Sequence, residues 1–348
     1  MNLSEKTQLN LLEGSQTNNL DSIPFDLTPI EMANLYTNSA LLVTIMGFLK
    51  EQLWLQGKED NKTGNNTSYR DFILPLFQKE LAPVLFLKSY LLESGAKNIK
   101  KVTKNSEKIE KKVISLIIEK SFKNQKDFII QSLSNMKELF IREETEDQGL
   151  RLYRTFDKLD DIFNLDYEQD KTLIVDPLNK ERLYEGAGVG VQSGYSTILL
   201  ALENIDLSEK SRIIDLGSGY GRVGLVCSLL RPDINFIGYE YVPHRVKLSN
   251  KTSESLDLEK TLKFITQDLS LDTFKIPDAD VYYLYDPFTK DTYESVLKQI
   301  VEISKRKKIT VVTKGNASNW LNEIANDNNW SKPVYIDDGN LCIFKSCD

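Results

Sequence analysis

Between residues 213 and 222 the chain reads Ile213-Ile214-Asp215-Leu216-Gly217-Ser218-Gly219-Tyr220-Gly221-Arg222: an apolar strand, an acid, then glycine at every second position before a helix. A strand that turns into a helix in this way leaves free backbone N–H groups at the edge of a sheet. The glycines remove the side chains that would keep a ligand away from them. The chemistry implied is the binding of a nucleotide-like ligand. The dinucleotide fingerprint G-x-G-x-x-G/A does not fit, because the sixth position counted from Gly217 is Arg222, too large for close helix–strand packing. The acid that precedes the glycines, Asp215, suits instead a ligand carrying an ammonium and a sulfonium centre.

A second acid, Glu240, closes the apolar run Phe236-Ile237-Gly238-Tyr239-Glu240 about 20 residues past the glycines, the distance expected of a ribose-binding carboxylate. With these residues in place, Asp215-Leu216-Gly217-Ser218-Gly219-Tyr220-Gly221 resembles motif I of the class I S-adenosylmethionine-dependent methyltransferases, and the resemblance extends over residues 186–344. It implies that Asp215, Gly217, Ser218, Gly219 and Gly221 hold the methionine part of S-adenosyl-L-methionine, and that Glu240 accepts hydrogen bonds from both ribose hydroxyls. It also implies that Asp268 and Leu269, after the third strand, lie beside the adenine; Asp268 reads equally well as a loop or helix cap.

Upstream, Tyr184 to Ser196 is rich in small residues, and it reads either as a linker or as a lid. The lid reading comes from a resemblance to protein-lysine methyltransferases of this fold: the histone-lysine enzymes that lack a SET domain and the mitochondrial ATP-synthase c-subunit enzyme. It implies that Gln192 and Tyr195 lie near the cofactor. Asp286-Pro287-Phe288 resembles the [DN]-P-P-[YF] acceptor motif of amino-methylating relatives but has one proline fewer. A compact lysine pocket is as consistent, with Asp286 as carboxylate partner and Phe288 and Tyr285 as walls. Tyr283 and Tyr285 face one side of their strand and also read as core tyrosines. The single histidine, His244, reads as a surface residue, and no metal site is expected. The function expected is methyl transfer from S-adenosylmethionine to a nitrogen, with a protein lysine as leading acceptor. The alternatives are an RNA or DNA amino-methyltransferase and a non-catalytic cofactor-binding adaptor.

The elements that must position these residues divide the chain. Residues 1–165 read as an all-α domain for substrate recognition or oligomerisation, 166–185 as a linker, and 186–348 as the methyltransferase domain. In the first part, Thr28-Pro29-Ile30-Glu31 is a capping box that launches an apolar helix toward Gly57, before a polar loop at 59–66. Pro75 and Pro83 break the next helical region. Apolar residues at helical spacing from Ser106 to about Thr145, interrupted near 123–125, predict one helix or two, and 149–165 a last one. In the second part, strands are predicted at 212–216, 235–240, 262–266, 280–285 and 308–312, with helical patterns between most of them. The runs Val334–Asp337 and Leu341–Phe344 around Asp338-Gly339-Asn340 predict a hairpin. The fold class is therefore α/β: a Rossmann-like, seven-stranded, mostly parallel sheet with a C-terminal antiparallel hairpin, behind an all-α N-terminal domain.

Composition bounds the rest. A formal net charge of -7 over 348 residues argues against a surface that is basic throughout, although lysines cluster at 97–112 and 305–308. Both clusters read as solvated surface. Three cysteines without metal-ligand spacing fit a reducing, cytoplasmic setting. The N-terminus lacks the pattern of a secretory signal, and no apolar run reaches the roughly 18 residues needed to cross a bilayer, so no membrane partner is expected. The oligomeric state is left open.

Overall fold

The computed structural model describes residues 27–172, 192–285, 288–315 and 317–347. The chain forms two compact units, Met1–Ile162 and Phe163–Asp348.

The first unit is helical. Its longest element, α1 (Pro29–Thr63), begins at the expected capping box: the Thr28 side chain accepts the Glu31 N–H while the Glu31 carboxylate accepts the Thr28 N–H. It runs past Gly57 and absorbs the first residues of the expected polar loop, ending on Gly64 in the left-handed region (φ 73°). One glycine in an exposed helix turn costs only about 1 kcal/mol, which a long helix absorbs. Then come α2 (Tyr69–Leu76), a 3-10 turn at Ala82–Leu87, α3 (Lys88–Ser94), α4 (Ala96–Ile118) and α5 (Phe122–Glu146). The region from 106 to 145 is thus two helices, the first beginning ten residues earlier than expected. The helix expected at 149–165 is instead a 3-10 turn, Asp157–Leu159, and a single helical turn, Asp160–Phe163. Leu152, Phe156, Leu159 and Ile162 are all buried, so successive turns satisfy the same apolar spacing as a helix would.

α1 packs against α4 and α5. Contrary to the expectation from uninterrupted apolar runs, α1 is by length and composition apolar enough to cross a membrane. Its Thr, Asn, Ser and Gly residues break the run without adding charge. In the structure 78% of that apolar stretch is buried, which makes it the core helix of this unit.

The second unit contains α6 (Tyr195–Asn204), β1 (Arg212–Leu216), α7 (Arg222–Leu230), β2 (Asn235–Glu240), α8 (Pro243–Ser255), β3 (Leu262–Thr266), β4 (Val281–Tyr285), α9 (Lys290–Ser304), β5 (Thr310–Lys314), α10 (Ala317–Asp327), β6 (Val334–Ile336) and β7 (Leu341–Lys345). The sheet order is β3-β2-β1-β4-β5-β7-β6, with β1 to β5 parallel and β7 antiparallel to both its neighbours. This is the expected seven-stranded, mostly parallel sheet with its terminal hairpin. Chain order reverses between β1 and β4, and open α/β sheets bind ligands outside the carboxyl ends of strands at such a switch point. In register, Asp215 pairs with Gly238, Glu240 with Thr266 and Tyr285 with Lys314, so the chemistry-bearing residues cluster toward one sheet edge.

Tyr167 and Asp170, at the start of the segment read as a linker, belong to this unit. A 3-10 turn, Glu168–Thr172, carries Asp170, whose side chain is fully buried.

Candidate active site

The glycine turn is built by its backbone. Gly217, Gly219 and Gly221 have φ of 94°, 55° and 80°. The N–H groups of Gly217 and Ser218 both donate to the Tyr239 carbonyl, at 2.9 and 2.8 Å, which ties the turn to the end of β2. Space is as tight as the conformation: a Cβ on Gly221 would stand 2.5 Å from the Phe264 ring, and one on Gly219 would stand 2.8 Å from Gln192 Nε2. Gly238 serves the same turn from β2, since a Cβ there would come within 2.8 Å of Ser218.

Three polar groups crowd this turn. Asp215 is buried and its Oδ2 has no hydrogen-bond partner among the described residues; the same holds for Ser218 Oγ and Gln192 Nε2. Burial, with the charge of Glu240 adding to it, holds the Asp215 carboxyl well above the usual carboxylate range. A buried acceptor without a donor costs roughly 1–3 kcal/mol, so the site is built for a ligand that repays it. An ammonium fits Asp215, and a carboxylate fits the Gln192 amide and the Ser218 hydroxyl. The methionine part of S-adenosylmethionine carries both groups.

Glu240 is buried and oriented on three sides. Its Oε2 accepts the Gly219 N–H at 2.9 Å, and its Oε1 accepts the Val242 N–H at 3.0 Å and Nη1 of Arg245 at 3.4 Å. A carboxylate has about four acceptor positions, so at least one, on Oε2, remains for a ribose hydroxyl. Burial raises the Glu240 carboxyl above its ordinary value, and Arg245 is the largest opposing influence.

The remaining residues singled out from the sequence are placed as follows. Tyr195 is buried, and its ring carries the Arg222 guanidinium 4.7 Å from the centroid. Asp268 uses Oδ1 to accept the N–H and hydroxyl of Ser270, at 2.8 and 2.6 Å, while Leu269 is a core residue. Tyr285 ends β4, and Lys314 Nζ lies 5.0 Å from its ring centroid. Phe288 is fully buried in the sheet core, edge-on to Tyr293 with centroids 5.0 Å apart, so it supports the end of β4 from within. Asp286 and Pro287 lie outside the described residues. Tyr283 is buried and its hydroxyl donates to Ser193 Oγ at 3.1 Å. Among the described residues, no group of three or more His, Cys, Asp or Glu side chains could hold a metal ion.

Residues that the sequence reading did not connect with the site surround Glu240. Asp170 accepts Nε and Nη2 of Arg245 at 3.1 and 3.0 Å, and His244 Nε2 lies 3.0 Å from the same carboxylate. His244 is thus partly enclosed rather than a surface residue. Tyr220, from the glycine turn, packs edge-on against Tyr167 with centroids 4.6 Å apart. Arg222 is also buried, donating through Nη1 to the Ser193 carbonyl at 3.0 Å.

A doubly wound sheet with a terminal antiparallel hairpin, a glycine turn after β1 flanked by a buried acid, and a second acid closing β2 define a class I methyltransferase fold. Residues 191–308 match the family model described as "Methyltransferase small domain". The second unit is an S-adenosylmethionine-dependent methyltransferase. No curated protein matches the chain. Similar solved structures include an RNA methyltransferase from Salinibacter ruber in complex with S-adenosyl-L-homocysteine, 21% identical, covering 44% of this chain and 92% of that one with a TM-score of 0.35. The precorrin-6y C5,15-methyltransferase from Geobacter metallireducens GS-15 is 13% identical over 44% of this chain and 88% of its own, TM-score 0.35. A human methyltransferase 10 domain containing protein is 16% identical over 51% of this chain and 90% of its own, TM-score 0.34.

Proposed function

We propose that the enzyme methylates an amine nitrogen, that of a protein lysine, with Asp215, Gln192, Ser218 and the glycine turn holding the methionine part of the cofactor and Glu240 the ribose. The observation that carries the acceptor is Tyr285: its ring, at the carboxyl end of β4, already has the Lys314 ammonium 5.0 Å from its centroid. The face suits an alkylammonium by cation–π attraction and by contact with the aliphatic stem, and a substrate lysine would take it in place of Lys314, since two ammonium groups on one ring repel. The unpartnered Gln192 amide against Gly219 supports including the segment before α6 in the site, as in the lysine methyltransferases that the sequence resembles.

S-adenosylmethionine, when bound, supplies an electrophilic methyl group on a sulfonium. What the chain must do is align the amine with that methyl group and receive it unprotonated. The docked ammonium would give one proton to solvent before transfer, its lone pair would take the methyl group while the sulfonium left with the S–C electron pair, and the methylated ammonium would return to solvent the proton it sheds. Asp286, next after Tyr285, is the acid in position by sequence to draw the lysine in. Incubation with methyl-labelled S-adenosylmethionine and a cell lysate, followed by fractionation and amino-acid analysis, tests the proposal. Label in protein as methyl-lysine supports it, and label confined to nucleic acid or small molecules overturns it.

A second reading, an RNA or DNA amino-methyltransferase, is favoured by α4. Lys97, Lys100, Lys104, Lys108 and Lys111 are exposed and recur every three or four residues, which lines them along one face of the helix, and among the described residues they form no ion pair. In the other basic cluster three of the four cations are paired: Lys305 with Glu302, Arg306 with Asp278 and Lys307 with Asp280.

A further inference from the structure

Arg245 sits between two buried carboxylates and treats them differently. It presents the Nε and Nη2 side of its guanidinium to Asp170 as a fork, at 3.1 and 3.0 Å, and leaves Nη1 for Glu240 Oε1 at 3.4 Å. Asp170 is fully enclosed, and Arg245 is 5% exposed. A guanidinium held by such a fork has its plane and reach fixed, which a single hydrogen bond does not achieve.

The same carboxylate grips its surroundings elsewhere. His244 Nε2 is 3.0 Å from Asp170 Oδ1, and the His244 ring also approaches the Tyr220 hydroxyl at 3.5 Å. Tyr220 belongs to the glycine turn, and Tyr167, three residues before Asp170, packs on its ring. The turn Glu168–Thr172 is therefore fastened both to the glycine turn and to the acid that closes β2. Burying Asp170 and Arg245 removes two charges from water, a cost that the fork between them offsets.

We infer that Asp170 is a positioning residue for ribose recognition: by clamping Arg245 it fixes the Glu240 carboxylate, whose Oε2 is then aimed at a hydroxyl of the cofactor. This rests on the reading of Glu240 as the ribose acid. Glu240 is held from opposite sides, by the Gly219 N–H on Oε2 and by Arg245 on Oε1. Without the clamp Arg245 can turn away, and Glu240 loses one of its three hydrogen bonds and the cation that most opposes the effect of its burial.

The test compares two ligands on the full chain by calorimetry: S-adenosylhomocysteine and its 2′,3′-dideoxy analogue. Wild type is expected to prefer the hydroxylated ligand by roughly tenfold or more, the worth of a hydrogen bond to a charged group. Asp170→Asn keeps the shape but not the charge. It is expected to weaken S-adenosylhomocysteine about tenfold while leaving the dideoxy analogue nearly unchanged, so that the preference collapses, and Asp170→Glu is expected to restore part of it. Equal weakening of both ligands, with the preference intact, would mean a merely structural pair and overturn the inference. If Asp170→Asn does not fold, Arg245→Lys, which keeps a charge but loses the fork, is measured against the same two outcomes. A wild type that binds both ligands equally removes Glu240 as the ribose acid, and one that binds neither removes the cofactor reading itself.

Discussion

The backbone N–H of Gly219 donates to Oε2 of Glu240 across 2.9 Å, so the turn after β1 and the acid that ends β2 form one unit. The turn cannot move without disturbing the carboxylate, and the carboxylate cannot turn without stripping a buried N–H of its partner. Substitutions on either side are expected to report on both halves of the cofactor.

Asp215 holds the donor side of this arrangement, and its cost is visible without ligand. Replacing it by Asn is expected to raise the melting temperature of the ligand-free protein at neutral pH, since a carboxyl that burial and the Glu240 charge hold well above its usual range gives way to a group that never ionises. The same variant is expected to weaken S-adenosylmethionine by roughly ten- to a hundredfold through loss of a charge-assisted hydrogen bond. Thermal unfolding with and without ligand measures both effects. A variant that is both less stable and still stabilised by ligand contradicts the assignment.

The raised pKa of Asp215 fixes the direction of two pH dependences. Because the folded state favours the protonated acid, the stability this group contributes is fully present below the ordinary carboxylate range and lost as the pH rises through its raised folded value. Cofactor binding runs the other way, because an ammonium beside Asp215 favours the ionised form. Affinity is expected to rise with pH over the same window, with protons released on binding. Calorimetry in two buffers of different ionisation enthalpy measures that release, and proton uptake would contradict it.

The two positive-φ glycines nearest the helix are expected to behave differently. Gly221→Ala places a methyl group against the Phe264 ring, in the core, and should cost about 1–3 kcal/mol of stability. In Gly219→Ala the nearest neighbours of the methyl group all belong to the end of the Gln192 side chain, which can move aside. Its fold should suffer less than that of Gly221→Ala, and its cofactor affinity more. Denaturant unfolding beside ligand titration separates the two.

At the acceptor edge, Tyr285→Phe keeps a ring face while Tyr285→Ala removes it. If a lysine docks there, kcat/KM for a lysine-containing protein substrate should be retained within a few-fold in the first and fall roughly three- to thirtyfold in the second, the range of a cation–π contact. Equal losses in both variants would point to the hydroxyl instead.

Much of the second unit was legible because its signals are local. The strand-acid-glycine pattern, Glu240 at the end of a short apolar run and the hairpin around Asp338-Gly339 each depend on neighbours within a few residues. The extent of α1 and the turns replacing a helix after residue 149 were not, because a helix end is decided by tertiary packing as much as by Gly57 or by apolar spacing. Phe288 followed the acceptor-like Asp286-Pro287, but its fate was settled by the core around Tyr293 and Trp320. Asp170 gave no signal: it lies in a polar segment 75 residues before Arg245, and nothing short of the fold brings them together.

The most direct measurement is a titration of the full chain with S-adenosylhomocysteine, with wild type and Asp215→Asn side by side. Wild type is expected to show one saturable site per chain, and Asp215→Asn, still folded, a loss of at least tenfold in affinity. Binding that is unaffected by Asp215→Asn, or no binding to a folded wild type, would contradict the cofactor assignment.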